Sequence, residues 1–115
     1  MTKSPLFDPN AWAQDDLARI AAEIDPLVPI DLGIVRAVAI LRHAGIATVE
    51  SCEGGDGHVY REPTVTFAGG RADGWTAVSA LMTYGLPIRR VGQMWSFTEG
   101  HPTGPTWVVT FWRQI

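Results

Sequence analysis

Apolar residues recur at helical spacing through Trp12, Leu17, Ile20 and Ile24, which predicts a helix over about residues 8–25. Asp8 stands where an N-cap belongs and Pro9 where a first helical residue belongs. The Asp25-Pro26-Leu27-Val28-Pro29 stretch ends it, because proline lacks the amide hydrogen a further turn needs. Asp31 is read as the cap of a second helix over about 32–44, with Ile30 and Val35 spaced as a hydrophobic staple and Ile34, Val38 and Leu41 on the buried stripe. Gly45 then falls at the left-handed position that closes helices. Residues 46–52 and 63–68 read as strands, the second with Val65 and Phe67 on one face. Beyond Gly69-Gly70, Trp75, Val78 and Met82 align on a third helix over about 72–84, closed by Gly85. Strands follow at 87–98, bulged at Gly92, and at 106–113. The run Trp107-Val108-Val109-Thr110-Phe111-Trp112 is apolar on both faces, as in a central or doubly covered strand.

The second half echoes the first at an offset of 40: Ala37 and Ala77, Val38 and Val78, Leu41 and Leu81, Gly45 and Gly85 coincide. The expected architecture is therefore α+β: an N-terminal helix, then an α-β-β unit used twice, with an antiparallel sheet and helices packed on one face. A single domain over 1–115 divides into a loose arm (1–7), the first helix (8–25) and two units (31–69 and 71–113). Residues 99–105, rich in Gly and Pro, read as a long loop matching the one in the first unit. If the halves pack symmetrically, both loops share one end of the sheet and His101 approaches His58. Trp75, Trp107 and Trp112 are assigned to the core. Trp12 and Trp95 are assigned to partly exposed positions that suit an interface, and a homodimer is one expected assembly.

Composition narrows the function. At 115 residues and 46% hydrophobic content the chain builds one core, which excludes disorder for most of its length. No apolar run is long enough to span a membrane, no leader is recognisable, and the lone Cys52 excludes an internal disulfide, so a cytoplasmic protein is expected. Residues 1–31 hold six acids and two bases, and residues 32–115 hold six acids and seven arginines. That leaves no basic stripe of the kind nucleic-acid binding needs, so no DNA or RNA partner is expected.

Candidate chemistry concentrates between the first two strands. Ser51, Cys52, Glu53, Gly54, Gly55, Gly57, His58, Tyr60, Arg61 and Glu62 crowd one connection ending at Pro63, far more than a plain hairpin needs. Four uses compete. Cys52 is a candidate nucleophile with His58 as base and Glu53 or Glu62 orienting it. Cys52, His58 and a carboxylate are a candidate zinc donor set, but without paired Cys-x-x-Cys or His-x₃-His spacing no metal or cofactor is expected. The Gly amides and Ser51 hydroxyl suit an anion without further chemistry. Finally, Cys52 is the type of residue that simply fills a core.

The stretch from Gly45 to Gly55 (Gly-Ile-Ala-Thr-Val-Glu-Ser-Cys-Glu-Gly-Gly), with Gly57-His58 and Glu62-Pro63-Thr64-Val65-Thr66-Phe67, resembles a family of small, mostly uncharacterised bacterial and bacteriophage proteins over about residues 33–113. The resemblance implies an accessory protein that binds a protein or small anionic partner through the 51–63 loop, extending to an anti-defence role. A small Cys52–His58 enzyme is the alternative. More distantly, Ser51-Cys52-Glu53-Gly54 is similar to a turn of the wybutosine-synthesising tRNA-modification proteins, whose flanking serine and arginine are here Glu50 and Gly55. That similarity implies an RNA-processing accessory role.

Overall fold

The first helix begins later than the Asp8-Pro9 signal predicts. In the computed structural model, which describes residues 6–115, Pro9–Ala11 form only a 3₁₀ turn and Asp8 makes no side-chain cap. Trp12 is extended, and α1 runs Gln14–Ile24. Asp16 decides the start, because its carboxylate accepts the Ala13 amide hydrogen at 2.8 Å and closes the first turn there. Residues 1–5 of the expected arm lie outside the described residues. Phe7 is not loose: its ring stacks on His43 at 3.9 Å and meets Trp12 and Tyr84 edge-on.

The second helix likewise starts as a 3₁₀ turn, Leu32–Ile34, before α2 at Val35–His43. The remaining elements are β1 (Thr48–Cys52), β2 (Thr64–Ala68), α3 (Arg71–Thr83), β3 (Ile88–Thr98) and β4 (His101–Phe111). The strands form one antiparallel sheet of order β1-β2-β4-β3, so the chain is α+β. The pairs Val65–Val109 and Phe67–Trp107 lie on one sheet face. That face joins Ile34, Val38 and Leu41 of the α2 segment and Ala77 and Leu81 of α3 in one buried cluster. Leu17, Ile20 and Ala21 of α1 pack in a second cluster with Val35, and Ile30 packs against it. No helix among the described residues is long and apolar enough to cross a membrane.

Both α2 and α3 end in the same device. Gly45 and Gly85 have φ of +86° and +71°. Their amides donate to Arg42 and Met82 carbonyls at 3.0 and 2.9 Å, and the next amides, of Ile46 and Leu86, donate to Leu41 and Leu81 at 2.8 and 3.2 Å. Gly45→Ala and Gly85→Ala are each expected to lower stability by about 1–2 kcal/mol, since a Cβ meets no neighbour there and the left-handed backbone alone carries the cost. Urea midpoints equal to the parent protein's would exclude this.

Four expectations are corrected. The buried stripe of α3 is Gly74, Ala77 and Leu81, while Trp75 and Met82 are exposed. The reason is Trp107, whose indole lies so close to α3 that a Cβ on Gly74 would come within 2.3 Å of the ring. Trp112 is exposed as well, and its ring carries the Arg89 guanidinium at 4.8 Å. Residues 99–105 are not a loop. Thr98 pairs with His101 across a two-residue turn in which Glu99 and Gly100 both have positive φ. Pro102 and Pro105 fit in β4 because β2 pairs only with 106–110, so the other side of β4 needs no donor there. Finally, β2 and β4 are antiparallel, so the connections leading into them lie at opposite ends of the sheet and His101 is remote from His58.

Candidate metal centre

The 53–63 connection owes its shape to its glycines. Gly54, Gly55 and Gly57 all have positive φ. A Cβ on Gly54 would come within 2.5 Å of the Glu62–Pro63 backbone, so the two ends of the loop touch only because that residue has no side chain. The Gly55 amide donates to the Arg61 carbonyl at 3.0 Å and the His58 amide to the Gly55 carbonyl at 3.2 Å. This ring folds His58 back toward the end of β1.

His58 meets a residue the sequence reading used only as a helix cap. Asp31 makes no side-chain cap bond. Its backbone carbonyl accepts the Ile34 amide hydrogen at 3.1 Å, which frees the carboxylate to accept from the Glu53 amide at 3.0 Å. The same oxygen lies 3.5 Å from His58 Nδ1. Cys52 Sγ completes the group: one donor atom each from Asp31, Cys52 and His58 lie within 4.8 Å of one another. Cys52 is 6% exposed, and its sulfur accepts from the Gly54 amide at 3.4 Å.

Glu53 forms the outer wall. One carboxylate oxygen accepts from the Gly33 amide at 3.1 Å, and the other lies 3.8 Å from His58 Nε2. Gly33 is held from its other side by the Ile115 amide, which donates to its carbonyl at 2.9 Å. A Cβ there would come within 2.9 Å of both Gln114 and Glu53, so only glycine leaves room for that carboxylate.

The other candidates separate from the cluster. Glu62 pairs with Arg89 and so does not orient His58. The Tyr60 hydroxyl donates to Glu50, and that bond, with some burial, pushes the phenol up to about 12. Ser51 lies within β1, opposite Val65. Arg61 is exposed and has no ion-pair partner among the described residues. The sequence reading thus named three of the four side chains that converge and missed Asp31. The only sequence signal for it was an acidic residue beside a Pro-Ile-Asp-Leu-Gly turn, which also describes an ordinary cap.

A thiol, an imidazole and a carboxylate suit zinc. Tetrahedral zinc with bonds of about 2.0–2.3 Å separates its ligands by roughly 3.3–3.8 Å, close to the 3.5 Å between Asp31 and His58 Nδ1. Ligation through Nδ1 leaves Nε2–H facing Glu53, the carboxylate–histidine–metal arrangement that fixes ring orientation and tautomer. Comparison of the chain with protein-family models, curated proteins and solved structures finds no match, so the chemistry of this site is argued from its geometry.

Proposed function

We propose that the 51–63 loop binds a divalent transition metal, zinc by its donor chemistry, through Asp31, Cys52 and His58, and that the metal's remaining position takes a small anionic ligand. The convergence of those three donors within 4.8 Å is the observation that carries this reading. Three protein ligands leave the fourth position of tetrahedral zinc for a water or anion, and His58 and Asp31 keep about a third of their side chains in solvent. The anionic-partner expectation of the loop is thereby given a chemical basis.

The nucleophile reading uses the same residues and is less well supported. A general base must point one ring nitrogen at the thiol, whereas both nitrogens of His58 face carboxylates. The bacterial or phage accessory role, with its protein partner, and the RNA-processing alternative rest on the resemblances alone. We also read the two helix–strand–strand halves as one unit used twice. Supporting this, Phe67 pairs with Trp107 across β2 and β4 at the same 40-residue offset as the two glycine caps. In that reading only one of the two strand connections acquired chemistry.

Cobalt titration of the tag-free protein tests the metal reading. One equivalent of Co(II) is expected to give thiolate-to-cobalt charge-transfer absorption, removed by zinc, absent in Cys52→Ser, and stronger as pH rises because metal displaces the thiol proton. Absence of that band, or Cys52 labelling at one rate with and without zinc, would overturn the assignment.

A further inference from the structure

The segment that follows β4 reaches the Asp31–Cys52–His58 cluster without supplying a donor to it. The Ile115 amide donates to the Gly33 carbonyl at 2.9 Å. The Gly33 amide donates to Glu53 Oε1 at 3.1 Å, and Glu53 Oε2 lies 3.8 Å from His58 Nε2. Ile115 is half-buried and packs against the main core cluster, so the far end of this relay is anchored. Gly33 is its narrowest point. It is not among the left-handed glycines, so close approach and not backbone conformation demands glycine there. A Cβ would come within 2.8 Å of the Gln114 side chain and 2.9 Å of the Glu53 Cβ. The exposed Gln114 side chain can swing aside. Glu53 cannot retreat without straining the bond from its own amide to the Asp31 carboxylate, at 3.0 Å.

On the basis of the metal reading of this site, we propose that the segment after β4 sets its metal affinity, with Ile115 and Gly33 as positioning residues that act through Glu53. With His58 Nδ1 on the metal, an acceptor for Nε2–H on the far side of the ring fixes both orientation and tautomer. Glu53 stays in that place because the Gly33 amide holds its other oxygen. The Gly33 peptide is in turn held by the Ile115 amide, which makes the one backbone hydrogen bond of residues 113–115 among the described residues. Between this segment and α1 lies a cleft of about 410 Å³, lined by Gln14 and Leu17 on one side and Arg113 and Gln114 on the other. The segment is therefore fastened to the 31–34 turn by that bond and not by packing on α1. Neither Gly33 nor Ile115 is a donor, so each can be altered with all three donors intact. The coupling is reciprocal: the factor by which docking of the segment raises metal affinity is the factor by which metal favours docking.

Cobalt titration of the full chain tests the relay. Gly33→Ala is expected to keep the thiolate-to-cobalt band and bind Co(II) about tenfold more weakly, near the lower end of the loss for an altered outer-shell partner. In a Gly33→Ala/Glu53→Gln double variant the two losses should not add, because both act on one carboxylate. Ile115→Pro removes the amide donor and should also weaken binding about tenfold, while Ile115→Ala keeps the amide and should retain wild-type affinity. Urea unfolding of the metal-free variants separates these effects from lost stability. In the wild-type protein zinc should slow hydrogen exchange at the Ile115 amide by about the same factor. Wild-type affinity in Gly33→Ala, fully additive losses in the double variant, equal affinities in Ile115→Pro and Ile115→Ala, or exchange at Ile115 unchanged by zinc would each overturn the proposal and leave the metal reading standing. A wild-type chain that gives no cobalt band would overturn both.

Discussion

Trp107→Ala is expected to cost about 3–5 kcal/mol, the range for truncating a large packed aromatic side chain. A domain of this size holds about 5–15 kcal/mol in all, so the variant should be close to unfolding at ambient temperature. The indole nitrogen donates to the carbonyls of Gly69 and Gly70 at 3.1 and 2.9 Å. Its ring stacks on Phe67, with centroids 6.4 Å apart and planes at 17°, and fills the space opposite Gly74. Removing it opens a cavity between α3 and the sheet and leaves the Gly69-Gly70 turn without its donor. Two further variants separate these effects. Trp107→Phe keeps part of the ring and loses the N–H, so it should be intermediate. Gly74→Ala drives a Cβ into the ring and should destabilise by about 1–3 kcal/mol, although alanine is the better helix former by about 1 kcal/mol. Guanidinium unfolding followed by circular dichroism measures all three. Near-parent stability for Trp107→Ala, or a more stable Gly74→Ala, would show that α3 does not rest on this ring.

The second large effect concerns zinc. A ligand that binds only the folded chain stabilises it by about 2.7 kcal/mol at a hundred times its dissociation constant. In a domain this size that raises the melting temperature by roughly 10 °C or more. Cys52→Ser and His58→Ala should abolish the zinc-dependent rise, because each removes a donor. Asp31→Asn should remove most of it and also weaken the turn that holds the Glu53 amide. Glu53→Gln should retain binding with about a 10–100-fold loss of affinity, the usual cost of altering an outer-shell carboxylate. Glu62→Gln should leave zinc affinity unchanged, since that carboxylate is paired with Arg89. Should Glu62→Gln and Cys52→Ser lose the same amount, the cluster would be a folding element and not a metal centre.

What the sequence disclosed was what neighbours along the chain decide. The caps at Gly45 and Gly85 are legible because a left-handed residue after an apolar helix is a local requirement. The strand with Val65 and Phe67 inward is legible because alternation needs no partner to be visible. The start of α1 is misjudged locally, since the Asp16 carboxylate closes the first turn on the Ala13 amide, but three larger errors involve distant partners. Periodicity placed Trp75 and Met82 on the inner face of α3, but Trp107, contributed by β4, selects Gly74, Ala77 and Leu81. The two strand connections were set at one end of the sheet because repeated units look parallel on paper; antiparallel β2–β4 pairing sends them to opposite ends. Asp31 reads as a cap because its partners Glu53 and His58 lie more than twenty residues on, and a carboxylate before a helix has a sufficient local explanation.

The outward-facing tryptophans have a spectroscopic consequence. Trp75, Trp95 and Trp112 already meet solvent in the native state, whereas Trp107 is tied by its indole N–H into the sheet–helix junction. Native emission is therefore dominated by hydrated indoles and shifts little on denaturation, so fluorescence understates unfolding in this protein. Iodide reaches the hydrated indoles and spares Trp107. Trp12, half-buried beside Phe7, is the other shielded indole, so in a Trp12→Phe background the unquenched remainder reports α3 docking.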